Sequence, residues 1–324
     1  MLTFDFLNVG NGDSMLLTEE KNGKTYRLLV DTGHESVPRD NDSGRKSCLE
    51  HLKSLGVDKI DLCIVSHLHI DHFGGLKDLL EGGIEVSEVW APFFPPRTGM
   101  LLEDQPALDH SSQGLLRRLN LWAGTADRLV SMQIPHSVIR PGRYRLGQEI
   151  DLEIIVDLAK DKAFQVDIWN QLYAGIQPPA QQIFRCAKLL NPTSPRLHIR
   201  FAGHEIMLGT DCYGEIWEEI AAPCTLVKIP HHGDAKSVTR MLVQNLRAKY
   251  AVISARNSYM PEKDRPSELT KQLILATGAR LWYTDPMPGE NTMNSVVEFV
   301  FRDDGQVIPP LHKWLLAPHA FENQ

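Results

Sequence analysis

The feature that most constrains this chain is a loop-like segment rich in histidine, Ser66-His67-Leu68-His69-Ile70-Asp71-His72-Phe73-Gly74-Gly75. It follows a short apolar run, Ile60–Val65, that predicts a buried strand. A loop at the end of such a strand can direct three imidazoles and one carboxylate into a small volume. Nitrogen and oxygen ligands together suit Zn²⁺, Mn²⁺ or Fe²⁺ rather than Ca²⁺. The segment therefore predicts a divalent metal site, with a solvated polar loop as the alternative.

Two further groups of polar residues follow predicted strands in the second half of the chain. Pro230-His231-His232-Gly233 comes after Thr225–Ile229, and Asp211 comes after Ile206–Leu208. Taken alone, the histidine pair is a weak signal, and an aspartate at a strand end is often the N-cap of the next helix. Five of the 13 histidines nevertheless fall in two clusters that each follow a strand. This combination favours one shared site at one edge of the fold.

The order of apolar runs and turn signals predicts an α/β fold in which strands lead into helices in both halves of the chain. Residues 92–190 fit this order poorly. We interpret them as an inserted cap segment that contains a helix near Ser112–Trp122 and some strands. On that helix, Arg117-Arg118 is interpreted as part of a solvated face, with contact to nucleic acid as the alternative.

Composition narrows the class of protein. The longest apolar runs are much shorter than the ~18 residues that a membrane span needs, and the first residues do not read as a secretory signal. We therefore expect a soluble, cytoplasmic protein. Five scattered cysteines without a CxxC pair predict buried, reduced thiols. The net charge of −7 argues against a broadly basic surface, but it leaves a local basic groove possible.

The motifs resemble those of a known superfamily. The HxHxDH pattern at His67–His72 is similar to the signature of the metallo-β-lactamase superfamily, and Val9–Ser14 resembles the VGQGD opening of the hydrolase domain of competence DNA-uptake (ComEC-type) proteins. Further segments follow that family's order: Leu29–Gly33, Gly209–Asp211, Lys228–Gly233 and Tyr283–Asp285. The resemblance covers roughly residues 1–90 and 190–300. It implies a single domain over residues 1–324, a metallo-β-lactamase-like αββα sandwich with an inserted cap at 92–190.

The resemblance also implies a site for two divalent metal ions, Zn²⁺ or Mn²⁺. The metal ligands carried over are His67 and His69 for one ion, Asp71, His72 and His232 for the other, and Asp211 as the bridge between them. Asn191 stands where relatives have a further ligand of the first ion, and His110 or His136 is the alternative. His231 would face the substrate, so that the residues expected to take part in catalysis are Asp71, Asp211 and His231.

The implied activity is hydrolysis by a hydroxide that bridges the two metal ions. An anionic phosphodiester suits such a centre, so we expect a phosphodiesterase or nuclease with nucleic acid or a nucleotide as substrate. Two alternatives stay open: hydrolysis of a lactone, thioester or β-lactam, and a regulatory protein that keeps the fold without turnover. A freestanding nuclease of this kind could also work with protein partners in a bacterial defence system.

Two positions depart from the family pattern. Asp234 stands where the family has a serine after HHG. Asn257-Ser258-Tyr259 resembles the start of a later family element, but Arg265-Pro266 stands where a histidine is often found. Arg265 is either a ligand for phosphate or a surface residue. These departures concern the substrate rather than the metal site.

Overall fold

The computed structural model describes residues 1–38, 44–256, 265–285 and 296–310. Asn257-Ser258-Tyr259 lies outside these described residues. The strands are β1 Leu2–Leu7, β2 Met15–Lys21, β3 Lys24–Val30, β4 Lys59–Ile60, β5 Leu62–Ile64, β6 Glu85–Val86, β7 Val89–Ala91, β8 His136–Val138, β9 Gly142–Leu146, β10 Ile150–Ile155, β11 Arg196–Phe201, β12 His204–Leu208, β13 Leu226–Lys228, β14 Tyr250–Ile253, β15 Arg280–Tyr283, β16 Val296–Phe301 and β17 Val307–Ile308. The helices are α1 Cys48–Ser54, α2 Ile70–Phe73, α3 Leu76–Glu81, α4 His110–Ser131, α5 Ala159–Tyr173, α6 Ala180–Lys188, α7 Gly214–Trp217, α8 Arg240–Leu246 and α9 Glu268–Leu275.

The strands form two large sheets. The first has the order β17-β16-β1-β2-β3-β5-β7-β8, and the second has the order β15-β14-β13-β12-β11-β10-β9. In the first sheet β3, β5, β7 and β8 are parallel neighbours, and in the second sheet β12 to β15 are. The carboxyl ends of parallel strands lie at a common edge of each sheet, which is where open α/β sheets carry their sites.

Alternating side chains divide the strands between two hydrophobic layers. On β1, Leu2, Phe4 and Phe6 enter the core between the sheets, where they meet residues of the second sheet such as Ile206. Leu7 faces the other way, into the core beneath the helices. A third core lies between the second sheet and α7 to α9. The result is a helix–sheet–sheet–helix arrangement, which confirms the predicted αββα fold.

Helix ends follow local sequence signals. Ser47 caps α1 in a capping box, since its side chain accepts from the Glu50 backbone N–H and the Glu50 carboxylate accepts from the Ser47 N–H. Asp109 caps α4 by accepting from the N–H groups of Ser111 and Ser112. The helix predicted near Ser112–Trp122 is therefore present but much longer, with 22 residues. Its amphipathic pattern continues to Leu129, beyond the stretch that the sequence analysis marked.

Residues 92–190 are not only a cap, because they contribute strands to both sheets and side chains to the core. β8 adds to the first sheet beside β7, and β10 pairs with β11 in the second sheet. Helices α4, α5 and α6 contribute Trp122, Trp169 and Ile183 to the same core as Leu7 and Leu16 of the sandwich. Whether the whole chain is one cooperative domain stays a prediction.

The structure bears on two expectations from composition. All five cysteines are buried and free, as predicted. Among the described residues, no helix combines the length and apolar character that a bilayer crossing requires.

Candidate metal centre

The histidine-rich segment turns sharply between β5 and α2, and the N-terminal turn fixes its backbone. The Asp13 N–H donates to the Asp71 carbonyl oxygen at 3.1 Å. A Cβ on Gly12 would lie 2.4 Å from that same oxygen, so that only glycine permits this close approach. On the other side, the Thr32 N–H and hydroxyl both donate to the His72 carbonyl oxygen, at 2.6 and 3.1 Å. The loop is therefore clamped between two backbone segments.

One group of converging atoms comes from His67, His69 and Asp211. His67 Nε2 lies 3.0 Å from His69 Nδ1 and 3.7 Å from Asp211 Oδ2. His67 and Asp211 are almost fully buried, and His69 is partly buried. Asp211 reaches this place because it is the third residue after the end of β12, beside the parallel strand β13.

The second group comes from Asp71, His72 and His232. His232 Nε2 lies 3.2 Å from Asp71 Oδ2, and His72 Nε2 lies 3.4 Å from Asp211 Oδ1. The far nitrogen of each ring is held in place. His72 Nδ1 donates to Asp31 Oδ2 at 2.8 Å, and His232 Nδ1 donates to the Ser254 carbonyl oxygen at 2.9 Å. These contacts fix both rings with Nε2 directed at the carboxylates, which is the arrangement seen for metal-binding histidines.

The donor set and its hydrogen bonding fit a bound cation. His72 Nε2 and Asp211 Oδ1 are buried side-chain atoms with no hydrogen-bond partner among the described residues. Buried polar atoms normally have a partner, and an ion between these two atoms would supply one. Imidazole and carboxylate ligands suit Zn²⁺ or Mn²⁺. The residues thus fit the two predicted groups, with Asp211 between them, although the ligand roles and the metal's identity stay predictions.

The electrostatics of the cluster also favour positive charge. Burial lowers the pKa of His69 to about 4, which keeps this imidazole neutral, as metal binding requires. Burial opposes ionisation of Asp211, but His72 and His232 beside it hold the pKa of its carboxyl well below the usual range. Burial likewise lowers the pKa of His72, but Asp211 and Asp31 outweigh it and raise that pKa well above its ordinary value. The two carboxylates therefore stabilise a positive charge between them.

Residues that were not predicted as site residues also support the cluster. Asp31 directly follows β3, and besides His72 it accepts from the Ser66 N–H and hydroxyl, both at 2.7 Å. Asp13 pairs with Lys228, and both side chains are fully buried. The motifs that contain Asp13 and Asp31 were noted only as family matches. An acid immediately after a buried strand, at the same edge as His67, was the signal that could have identified Asp31.

His231 and Asn191 meet on one side of the cluster. Asn191 Nδ2 donates to His231 Nε2 at 2.8 Å, and His231 Nε2 lies 4.0 Å from Asp211 Oδ2. His231, His232 and the following glycine all have positive φ angles, which turns the two histidine side chains in different directions. The observed contact of Asn191 is with His231, and its predicted role as a ligand of the first ion stays untested.

The two residues that depart from the family pattern, Asp234 and Arg265, both contact His231. Asp234 Oδ2 lies 2.6 Å from His231 Nδ1, and Arg265 Nη2 donates to His231 Nε2 at 2.8 Å and to Asp234 at 3.2 Å. Burial would raise the pKa of Asp234, but His231 and Arg265 lower it to about 2. The carboxylate thus stays ionised, and Arg265 is part of the site wall rather than a free surface residue.

The cluster opens into a cleft of about 680 Å³, which His69, Asp71, Asp211 and His231 line on one side. The opposite side comes from α4 and α6. It includes four basic or imidazole side chains: His110, Arg117, Arg118 and Lys188. The interpretation of Arg117-Arg118 as a solvated face was wrong for Arg118, which is partly buried and lines this cleft, whereas Arg117 is exposed at it.

The two alternative histidines lie in different places. His110 begins α4, is exposed and lines the cleft. His136 lies on β8, where its Nδ1 donates to the Ile134 carbonyl oxygen and its ring packs against Phe94. His136 is not among the residues that line the cleft.

Comparison with known proteins gives one family match. Residues 7–89 match the family model of the metallo-beta-lactamase superfamily, which supports membership of that superfamily. No curated protein sequence matches the chain. The likeness to the hydrolase domain of competence proteins is not supported by these comparisons and stays a prediction.

Solved structures with a similar chain path are distant. The metallo-beta-lactamase fold protein YhfI from Bacillus subtilis is 12% identical, with 92% of this chain and 99% of that one covered and a TM-score of 0.48. Tm1679, described as a metal-dependent hydrolase of the beta-lactamase superfamily, is 14% identical over 87% and 95%, with a TM-score of 0.46. A mutant of CmlA beta-hydroxylase is 13% identical, and this chain spans 52% of its length, with 87% of this chain covered and a TM-score of 0.45.

Proposed function

We propose that this chain, which has the metallo-β-lactamase fold, is a metal-dependent hydrolase that cleaves phosphodiester bonds in nucleic acid or a nucleotide. The observation that carries the proposal is the charge of the cleft. The protein has a net charge of −7, yet Arg117, Arg118, Lys188 and Arg265 all line the cleft into which the His/Asp cluster opens. Cations that gather around a metal centre favour an anionic substrate over a neutral ester, lactone or lactam.

Bound metal ions and the residues of the chain would make different contributions to hydrolysis. Two divalent ions held by the cluster would lower the pKa of a water molecule and stabilise the negative oxygens of phosphodiester hydrolysis. Asp31 and the Ser254 carbonyl keep the rings of His72 and His232 oriented for that binding. Asp71 and Asp211 supply the negative charge that offsets the two ions.

The chain also supplies donors for the substrate's oxygens. Arg265 offers a guanidinium, which can bind a phosphate through two parallel hydrogen bonds. Asn191 and His231 lie beside it, and all three line the cleft. Asp234 holds His231 and Arg265 together at the wall of the cleft. Their predicted role is to orient a phosphodiester against the metal centre.

The direct test is cleavage of end-labelled single- and double-stranded DNA and RNA, with Mn²⁺ or Zn²⁺ added. Wild type is compared with Asp211→Ala, and Asp58→Ala is the matched control because its side chain is 90% exposed and belongs to none of the converging His/Asp groups. We expect Asp211→Ala to lose on the order of a thousandfold in kcat/KM, because Asp211 would help to hold both ions and their loss would remove several kcal/mol of transition-state stabilisation. Asp58→Ala should match wild type.

Small substrates separate the alternatives. Wild type should cleave bis(p-nitrophenyl) phosphate faster than p-nitrophenyl acetate, a thioester or a β-lactam. The reverse preference would support a hydrolase of non-phosphate bonds. Retention of metal without turnover of any of these substrates would contradict the proposal and favour a regulatory protein with this fold.

A further inference from the structure

The side chain of Arg118 lies along α4 towards the start of the helix, above Gly114. A Cβ on Gly114 would be 3.5 Å from Arg118 Nη1 and Nη2 and 3.7 Å from Cζ. This follows from the geometry of helices, in which side chains lean over the preceding turn. The guanidinium therefore lies over Gly114, and both residues line the cleft. A side chain larger than alanine at this position of the 22-residue helix would compete with the arginine for space at the cleft wall.

Arg118 forms no ion pair within the described part of the chain. Its Nε is buried without a hydrogen-bond partner there, and no carboxylate among those residues pairs with it. Two other arginines of α4 and α6 do have partners: Arg128 pairs with Glu81, and Arg185 pairs with Asp161. A partly buried guanidinium without a partner is costly, since arginine keeps its charge. Such a group is suited to an anion that arrives from outside.

The charge of Arg118 acts on the metal cluster itself. Burial lowers the pKa of Arg118, and the nearby Asp71 carboxylate opposes this effect. Arg118 lines the same cleft as Asp71 and His69, while Arg265 is joined to His231 and Asp234. The two arginines come from different elements and border different members of the cluster.

Lys188 adds a second cation on the same helical wall. It ends α6, and its Nζ donates to the Ser111 hydroxyl of α4 at 3.1 Å. A cleft of about 680 Å³ is in the size range of sites that hold a whole drug-sized molecule, much larger than one phosphate group. There is accordingly space and charge for an anionic group beyond the one at the metal centre.

We propose that Arg118, assisted by Lys188, binds a second phosphate group of the substrate, next to the phosphodiester that is hydrolysed. This inference rests on the proposed function and narrows it to substrates with at least two phosphates. Two kinds of substrate share this chemistry: a nucleic acid strand, in which the second phosphate lies across a sugar, and a nucleoside diphosphate ester, in which the two phosphates are directly linked.

The test compares three chromogenic substrates with the metal-loaded protein. Thymidine 5′-(p-nitrophenyl phosphate) carries one phosphate, its 3′-phosphorylated form carries a second across the sugar, and the p-nitrophenyl ester of thymidine 5′-diphosphate carries a linked pair. The variants are Arg118→Met, which keeps an unbranched stem, and Arg118→Lys, which keeps the charge. Arg128→Met, on the same helix but outside the cleft, is the matched control. Thermal melting of each variant reports whether it folds.

We expect Arg118→Met to raise KM about 10- to 100-fold for one of the two substrates that carry a second phosphate. KM for the substrate with a single phosphate should change by less than about twofold. Arg118→Lys should recover part of the loss, and Arg128→Met should match wild type. The two-phosphate substrate whose KM rises more in Arg118→Met shows whether the site suits a nucleic acid strand or a linked diphosphate. An equal rise in KM for all three substrates, or no rise for any of them, would overturn the inference.

A binding measurement keeps this inference separate from the proposed function. Calorimetry with thymidine 3′,5′-diphosphate and thymidine 5′-diphosphate needs no turnover, and it can be done with metal-loaded and chelator-treated protein. Binding that weakens about tenfold or more in Arg118→Met supports the phosphate site even if wild type cleaves no phosphodiester. Cleavage by wild type, together with unchanged binding and KM in Arg118→Met, would refute this inference alone.

Discussion

The two sides of the cleft are built differently. On one side, the His/Asp cluster consists of short loops at the ends of parallel strands, and hydrogen bonds to neighbouring loops fix the rings of His72 and His232. On the other side, α4 and α6 present basic side chains along helix surfaces, and Arg118 has no ion-pair partner in the described residues. In the proposed function, the first side would hold metal ions that stay bound. The second side would contact a substrate that binds and is released.

The largest expected change in stability concerns Trp122, which packs between the helical side and the cluster side of the cleft. Trp122 of α4 is fully buried, its Nε1 donates to the Phe93 carbonyl oxygen at 2.7 Å, and its ring packs edge-on against Phe73, which directly follows His72. Trp122→Ala should lower the free energy of unfolding by about 3–5 kcal/mol, because a large cavity opens in the shared core. Urea unfolding followed by circular dichroism and by fluorescence measures this loss.

The same experiment tests whether the chain is a single domain. If helices and sandwich form one cooperative unit, both probes should show one coincident transition in wild type and in Trp122→Ala. A separate early transition that leaves metal binding intact would mean that the helical side is an independent unit.

The second prediction contrasts two buried charges. Asp5 of the sandwich is buried opposite Glu298 on β16, and burial, with a smaller contribution from Glu298, raises its pKa to about 7. Asp5 can escape the cost of burial by binding a proton, whereas Arg118 cannot lose its charge. Between about pH 4 and 7 the unfolded chain releases the Asp5 proton while the folded chain retains it, so stability should fall as pH rises through this window.

Asp5→Asn removes that pH dependence. Its stabilising effect relative to wild type should grow from pH 4 to pH 7, reach an upper limit of about 4 kcal/mol and remain constant above pH 7. Urea unfolding at pH 4.5, 6 and 8 measures it. Glu298→Gln, which removes only the smaller contribution, is the control and should show a weaker effect. An Asp5→Asn difference that is the same at all three pH values would contradict the prediction.

The third prediction concerns the support of the metal cluster. Asp31→Asn keeps the size of the side chain but removes its charge beside His72. We expect metal affinity to fall about 10- to 100-fold, as is usual when a carboxylate that orients a ligand histidine is changed. Competition with a coloured chelator measures the affinity. Asp61→Asn is a suitable control because Asp61 accepts from the Arg27 N–H and lies outside the cluster. Equal affinity in the two variants would show that Asp31 has only a structural role.

The smallest expected effect comes from replacing two glycines of α4, which tests whether Gly114 lowers the stability of the helix but is needed at the cleft. Gly114→Ala and Gly124→Ala should each stabilise the protein by up to about 1 kcal/mol, since alanine is the better helix former and neither Cβ meets a clash. Larger side chains should separate the two positions. Gly114→Leu should displace Arg118 and raise KM for a two-phosphate substrate, whereas Gly124→Leu should leave KM unchanged. Equal KM values for the two leucine variants would show that the space above Gly114 is not needed.

Much of the fold and the cluster was predictable because the signals are local. A strand was expected within Ile60–Val65 and β5 is found at Leu62–Ile64, and α1 follows from its apolar spacing and its capping box. His67, His69, Asp71 and His72 lie in one short loop, so that the turn which follows β5 brings their side chains together. His232 and Asp211 could be added because parallel strands end at a common edge, where residues distant in sequence meet.

The helical side of the cleft was decided by tertiary structure. The pattern around Arg117-Arg118 is that of any amphipathic helix, and nothing in it tells which solvent-facing side chain will meet another element. Only the packing of Trp122 and Leu115 into the shared core rotates α4 so that Arg118 faces the metal cluster. The contacts of Asn191 and Arg265 with His231 likewise join three separate segments. The sequence by itself thus determined the metal-binding chemistry, which one short motif encodes, whereas long-range packing decided which charges surround it.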